Sequence, residues 1–334
     1  MVERCDERTP PHRAMRSMSP SIPPVEDREL LTDLLRATIG ASATIQACEF
    51  ARRSQDYAVI VVTLAPPATS VVVKLAGPRA RIACPFDRTE AIVALVHRHT
   101  SVPTFDVLAC DASSRVWPWR YIVMTRMPGM TWSEAQPERA VETRRSAYQA
   151  LGHAVGQLHT LHFPAFGEIE PSGRVAPGSL LIRALEQRAA RHLVDARHVA
   201  LFSSVLRARE AAFARAPGPV LCHEDLNPHN ILLRQEAGSW QVTAILDFDS
   251  AWAGSPESDL ARLDLWRGMT GEGFRSAYEA VARIAPGYQE RRPVYQLLWC
   301  LEYADPSPQH ADDTAAVCAE LGIPSVTFAP SGRP

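Results

Sequence analysis

Apolar residues recur along this chain in two rhythms, and the switch between them divides it. Residues 1–26 follow neither. They are rich in Arg, Pro and Ser and carry too little apolar surface to offset the entropy of ordering, which predicts a disordered tail. Asp27–Thr38 then places Leu30, Leu31, Leu34 and Leu35 at helical spacing, with Gly40 near its end. The period shortens over Ala43–Phe50, Ala58–Leu64 and Ser70–Ala76, β-rich runs that read as an antiparallel meander. A second helix is predicted over Asp87–Arg98, with Ile92, Val93, Leu95 and Val96 inward. Two more strands follow at Phe105–Ala109 and Trp119–Met127, the latter ending at Pro128-Gly129.

After Pro128 the helical period dominates. Thr143–Leu161 carries Leu151, Ala154, Val155, Leu158 and Leu161 at helical spacing, and Ser179–Ala216 reads as two helices broken near Asp195. Val220–Cys222 is a short strand, and Ile231–Arg234 with Val242–Leu246 form a hairpin. Helices resume at Pro256–Trp266, Gly271–Ile284, Arg292–Tyr303 and Asp312–Leu321. The pattern is therefore α+β: a small antiparallel-sheet N-lobe over residues 27–127 and a mostly helical C-lobe over 128–334.

Composition narrows the classes. A net charge of −2 and no Lys/Arg-rich run leave no electrostatic footprint for nucleic acid. No apolar run reaches the roughly 18 residues of a membrane span, and the N-terminus lacks the apolar core of a signal peptide. Seven scattered cysteines with no C-x-x-C pair fit a reduced, cytoplasmic setting.

The candidate chemistry lies where the two C-lobe strands bracket His223-Glu224-Asp225-Leu226-Asn227-Pro228-His229-Asn230, followed by Leu246-Asp247-Phe248-Asp249. His-x-Asp-x-x-x-x-Asn and then a further acid is the layout of a phosphoryl-transfer loop. Asp225 is the candidate carboxylate beside an attacking hydroxyl. Asn230 and Asp247 offer the hard oxygens that Mg²⁺ takes alongside phosphate and water. His223 would brace the loop, and Asp249 would accept backbone hydrogen bonds or extend the acidic pocket. Lys74, alone in the valine-rich Val71–Leu75 run, is expensive there unless paired; Glu90 is the candidate partner holding it towards nucleotide phosphates, and an edge strand would let it snorkel instead. The polar hairpin Glu49–Tyr57 has no glycine, so Ser54 or backbone N–H groups would have to face the phosphates. Met124, Arg126 and Met127 end a strand at the lobe boundary, a place for an adenine edge. His153 and His159, six apart, read as packing or surface residues rather than metal ligands.

With these segments in order, together with Leu151-Gly152-His153-Ala154-Val155-Gly156-Gln157-Leu158-His159 and Gly254-Ser255-Pro256-Glu257-Ser258-Asp259-Leu260-Ala261, the chain resembles the aminoglycoside phosphotransferase (choline kinase-like) family of small-molecule kinases over residues 27–305. The resemblance implies a bilobal, protein-kinase-like fold. It implies Asp225 as base, Asn230 and Asp247 as Mg²⁺ ligands, Lys74 with Glu90 as the nucleotide pair, and Asp259 as a structural acid securing the catalytic region. It implies ATP or GTP as phosphate donor and a hydroxylated small molecule as acceptor: an antibiotic, or a metabolite of the choline, homoserine or sugar type. A non-catalytic nucleotide-binding protein is the other reading, motivated by the glycine-free hairpin. Asn227, His229, Asp249, Glu257 and Glu302 are the candidate acceptor residues, with Asp264, Glu272 and Asp305 as further acids that would suit a polycation.

Overall fold

The computed structural model describes residues 28–328, apart from 55–56, 67–69, 78–79, 81–84, 115–118, 179, 267 and 304–305. The tail 1–26 and Asp305 thus lie outside the described residues. The chain divides into two compact units. One holds the residues up to Asp87 with Phe105–Arg126, and the other holds Arg88–Thr104 with everything from Met127 onward.

In the first unit, α1 (Arg28–Ile39) lays Leu31, Leu34 and Leu35 against the sheet, buried as their i, i+3, i+4 spacing requires. The sheet is antiparallel, in the order β1-β2-β3-β5-β4, from β1 (Ile45–Ser54), β2 (Tyr57–Leu64), β3 (Val71–Ala76), β4 (Val107–Asp111) and β5 (Arg120–Thr125). β1 runs four residues beyond the sequence expectation. As an edge strand it can pair through polar Arg52 and Arg53, which stand opposite Val59 and Ala58. β3 is central: Lys74 stands opposite Val59 on one side and Ile122 on the other.

α2 (Phe86–His99) begins in the first unit and from Arg88 onward belongs to the second. The second unit continues through β6 (Met130–Thr131), α3 (Trp132–Ala135), α4 (Arg144–Leu158), α5 (Leu181–His192), α6 (Ala196–Ala208) and α7 (Glu210–Phe213). Asp195 caps α6 by accepting the N–H of Arg197, which is why the helical stretch breaks there. β7 (Val220–Cys222) is fully buried and pairs with β10 (Trp252–Gly254); β8 (Ile231–Glu236) and β9 (Ser239–Ile245) form the hairpin. The helices α8 (Pro256–Leu265), α9 (Phe274–Glu279), α10 (Tyr288–Leu301) and α11 (Pro308–Leu321) complete the unit. Ser255 before Pro256 and Ser307 before Pro308 start α8 and α11, each with its side chain accepting a first-turn N–H.

Two helices differ from expectation. α9 is shorter than Gly271–Ile284. α10 starts a turn before Arg292, because Gly287 adopts φ 83° as its cap and Pro293 is carried inside the helix. β6 and β10, of two and three residues, were too short to show a period. β6 nonetheless pairs with β8, and this needs glycine at Gly129: φ is 126°, and a Cβ there would lie 2.5 Å from Thr243 Oγ1. Among the described residues no helix is long and apolar enough to cross a membrane.

Candidate active site

β7 delivers the chain to His223, β8 carries it away after Asn230, and β9 returns it to Asp247. Side chains of the motif tie this loop together from within. Asn230 donates from Nδ2 to Asp225 Oδ2 and to the Asp225 carbonyl, both at 2.9 Å. Asn227 Nδ2 donates to Asp225 Oδ1 at 3.0 Å, and Asn227 Oδ1 accepts the His229 N–H at 2.9 Å. The half-buried Asp225 carboxylate therefore has each oxygen held by an amide. Asp225 N–H donates to His223 Nδ1 at 3.2 Å, while His223 Nε2 meets the Leu246 carbonyl at 2.9 Å. A carbonyl only accepts, so the His223 proton is on Nε2. The histidine, fully buried, ties the loop to the Asp247 segment. Leu246 N–H donates to the Asn230 carbonyl at 2.8 Å and fixes the same junction.

These residues suit a magnesium ion. Both Asn230 partners are oxygens, so its nitrogen must face Asp225 and its Oδ1 is left for another ligand. Asp247, half-buried and at φ 65°, supplies a carboxylate one residue beyond Leu246. One amide oxygen and one carboxylate are hard donors of the kind Mg²⁺ combines with water and phosphate.

Below the loop lies Asp259 of α8, fully buried. Its Oδ2 accepts the His223 N–H and its Oδ1 the Glu224 N–H, both at 2.7 Å. His159 Nε2 donates to Oδ2 at 3.1 Å, and the Tyr278 hydroxyl meets His159 Nδ1 at 2.8 Å. Burial alone pushes the Asp259 carboxyl up, but the hydrogen bond and proximity of His159, followed by His223, hold it below the usual aspartate range. His159, Cys222 and Asp259 lie within 4.8 Å of one another. Yet both His159 nitrogens are engaged, and burial keeps the Cys222 thiol well above its ordinary pKa, so this is a hydrogen-bonded support and not a thiolate metal site.

Glu224 has φ 63°, which costs a residue other than glycine about 1–2 kcal/mol. Its buried Oε1 accepts the Trp252 indole N–H at 2.6 Å and the Ser258 hydroxyl. Arg262 lies 3.9 Å from Glu224 Oε2, bonds Glu302 Oε2 at 3.2 Å and stacks on Trp299 at 5.5 Å. Burial pushes the Glu302 carboxyl up against the pull of Arg262 and Arg188, and the charges of Glu224 and Asp225 add to that rise.

Asp249 accepts the Thr89 hydroxyl at 2.7 Å, and its carbonyl accepts from Arg88, so α2 is fastened to the segment after Asp247. Glu90 is exposed on α2. Lys74 is buried in the central strand of the sheet unit, which removes the edge-strand alternative. Met124 is buried in β5, and the unit boundary falls between Arg126 and Met127. The Ser54 backbone pairs with Tyr57; its side chain is outside the described residues. His229 is exposed at the loop tip. Glu257 departs from the expectation of a cleft acid: it is 1% exposed, and both its oxygens are taken by Arg291 of α10, at 2.7 and 2.5 Å. The Glu224 anchor, the Thr89–Asp249 bond and the Arg262–Glu302 pair were missed. Their partners stand 28 to 160 residues apart, beyond any spacing rule.

The phosphotransferase enzyme family matches residues 47–294, a span that holds Lys74, the His223–Asn230 loop and Asp247. The chain belongs to that family. Family members are small-molecule phosphotransferases acting on hydroxyl groups, and this member is an enzyme of that kind. Among solved structures it is similar to a thermostable variant of the aminoglycoside phosphotransferase APH(4)-Ia in ternary complex with ADP and hygromycin B. The identity is 17%, the TM-score is 0.60, and 87% of this chain and 95% of that one are covered. It is likewise similar to APH(2")-IIia in complex with GDP and kanamycin, at 14% identity and a TM-score of 0.57, covering 87% of this chain and 97% of that one. At these identities the likeness carries the fold. The phosphotransferase has the α+β, protein-kinase-like fold, with an antiparallel-sheet N-terminal part and a helical C-terminal part.

Proposed function

We propose that this phosphotransferase moves the γ-phosphate of ATP or GTP to a hydroxyl of an aminoglycoside-like small molecule, with Asp225 as base. The observation that carries this reading is the Asp225 carboxylate, oriented through both oxygens by Asn227 and Asn230, with the Asn230 oxygen left over for a metal. Asp225 takes the acceptor hydroxyl proton as the oxygen attacks the γ-phosphorus; the bond from phosphorus to the β-phosphate oxygen breaks, and the nucleoside diphosphate leaves. Bound by Asn230 and Asp247, Mg²⁺ would neutralise charge on the phosphates. Lys74 meets the α- and β-phosphates. Glu90, Ser54, Met124, Arg126 and Met127 keep the nucleotide roles expected of them.

Asn227, His229, Asp249 and Glu302 meet the acceptor, and Glu257 does not, since Arg291 already satisfies it. The complexes with hygromycin B and kanamycin make aminoglycosides the first acceptors to try. The test is to incubate the protein with Mg²⁺ and ATP or GTP and a panel of hygromycin B, kanamycin, choline, homoserine and hexoses, reading products by mass spectrometry. An aminoglycoside gaining one phosphate is expected. Phosphate on a metabolite alone would move the assignment to that class, and nucleotide binding with no phosphorylated product would overturn the catalytic reading.

A further inference from the structure

Glu224 is a buried carboxylate beside Asp225 that the chemistry above does not use. Its backbone is in the left-handed region at φ 63°, where glycine would sit without strain. Here a glutamate holds that conformation, and it is fixed from several directions. Trp252 Nε1 on β10 and the Ser258 hydroxyl on α8 both reach Oε1; Arg262 on α8 faces Oε2; and the Glu224 N–H is taken by Asp259 Oδ1 at 2.7 Å. The donors come from two elements that also support β7, through the Trp252–Cys222 pairing and the Cys222 thiol donating to the Ser255 carbonyl.

A glycine would permit the turn; this side chain enforces it. We propose that Glu224 is a positioning residue for the reaction: its anchored carboxylate sets the direction in which the chain leaves the turn, and so places Asp225 between Asn227 and Asn230. The proposal rests on the reading of Asp225 as base. It deepens that reading by giving the residue between His223 and Asp225 a task that neither of them performs.

The consequence is testable with two substitutions that separate strain from anchoring. Glu224→Gly removes the side chain and relieves the backbone, so a residue of merely local structural value would leave turnover intact. Glu224→Gln keeps an oxygen for Trp252 and Ser258. Mg·ATP hydrolysis, with water in place of the acceptor hydroxyl, reads the rate; nitrogen–proton NMR of the Asp225 and Asn230 amides reads the loop without turnover. Glu224→Gly is expected to lose on the order of 10²-fold in kcat, the scale of an ångström-sized misplacement. Its KM for ATP should stay within about 2-fold, and both amide resonances should shift. Glu224→Gln should retain most of the rate, and Trp252→Phe, which removes one anchor, should move the same resonances in the same direction as Glu224→Gly. Wild-type resonances in folded Glu224→Gly protein would overturn the proposal, as would equal loss of rate and of folding in the Gly and Gln variants. Asp225→Asn run alongside keeps the two claims apart. If it hydrolyses ATP at the wild-type rate while Glu224→Gly still shifts the loop, the base assignment fails and the positioning stands.

Discussion

Asp225, Asn227 and Asn230 hold one another within six residues, so the local sequence already contains most of the contacts that orient the base. That is why this part of the site could be read directly: the donors and acceptors around the Asp225 carboxylate stand at offsets of only two and five residues. Glu257 shows the opposite case. Its charge suggested a cleft, but charge alone does not say which way a helical side chain faces, and the answer depends on Arg291, a residue 34 positions later on α10. Glu257→Gln leaves the Arg291 guanidinium buried without its carboxylate. Breaking such a pair costs about 3–5 kcal/mol. Thermal denaturation should therefore show a clear loss of stability, while the folded variant keeps the wild-type KM for its acceptor. A raised acceptor KM with unchanged stability would return Glu257 to the binding cleft.

Among elements, α4 and α9 show how packing supports chemistry from a distance. Gly152 faces α9 so closely that a Cβ would lie 2.3 Å from the Phe274 carbonyl oxygen. That approach lets Tyr278 of α9 reach His159, and through it Asp259 beneath the catalytic loop. Gly152→Ala should cost about 1–3 kcal/mol by overpacking, measured by chemical denaturation, and should lower kcat more than nucleotide KM because the Asp259 support shifts with α9. Unaltered stability would mean the helices have room that the close contact denies. The long elements were legible because each repeats its period for several turns or pairs. β6 and β10 were not, having two and three residues, although β10 supplies Trp252 to the Glu224 anchor. The end of β1 was misjudged for a different reason: Arg52 and Arg53 look like turn residues, but an edge strand tolerates polar side chains that a central strand would not.

Across the whole molecule, the boundary between the two compact units falls between Arg126 and Met127. The sequence did not reveal that α2 from Arg88 onward keeps company with the helical unit, because Arg88–Glu168 and Thr89–Asp249 join residues 80 and 160 apart. Family membership fixes the reaction class, and the acceptor is left to side chains such as Glu302, gathered from distant helices. The central claim is that Asp225 is the base of phosphoryl transfer. It is tested most directly by comparing wild-type protein with Asp225→Asn, a near-isosteric change that keeps an oxygen for the flanking amides, in Mg²⁺-dependent phosphate transfer from ATP or GTP, with nucleotide affinity and melting temperature measured on the same samples. The account predicts a kcat lower by on the order of 10²–10⁴-fold, the usual contribution of a general base, with nucleotide affinity and stability preserved. Wild-type turnover in the folded Asn variant would contradict it.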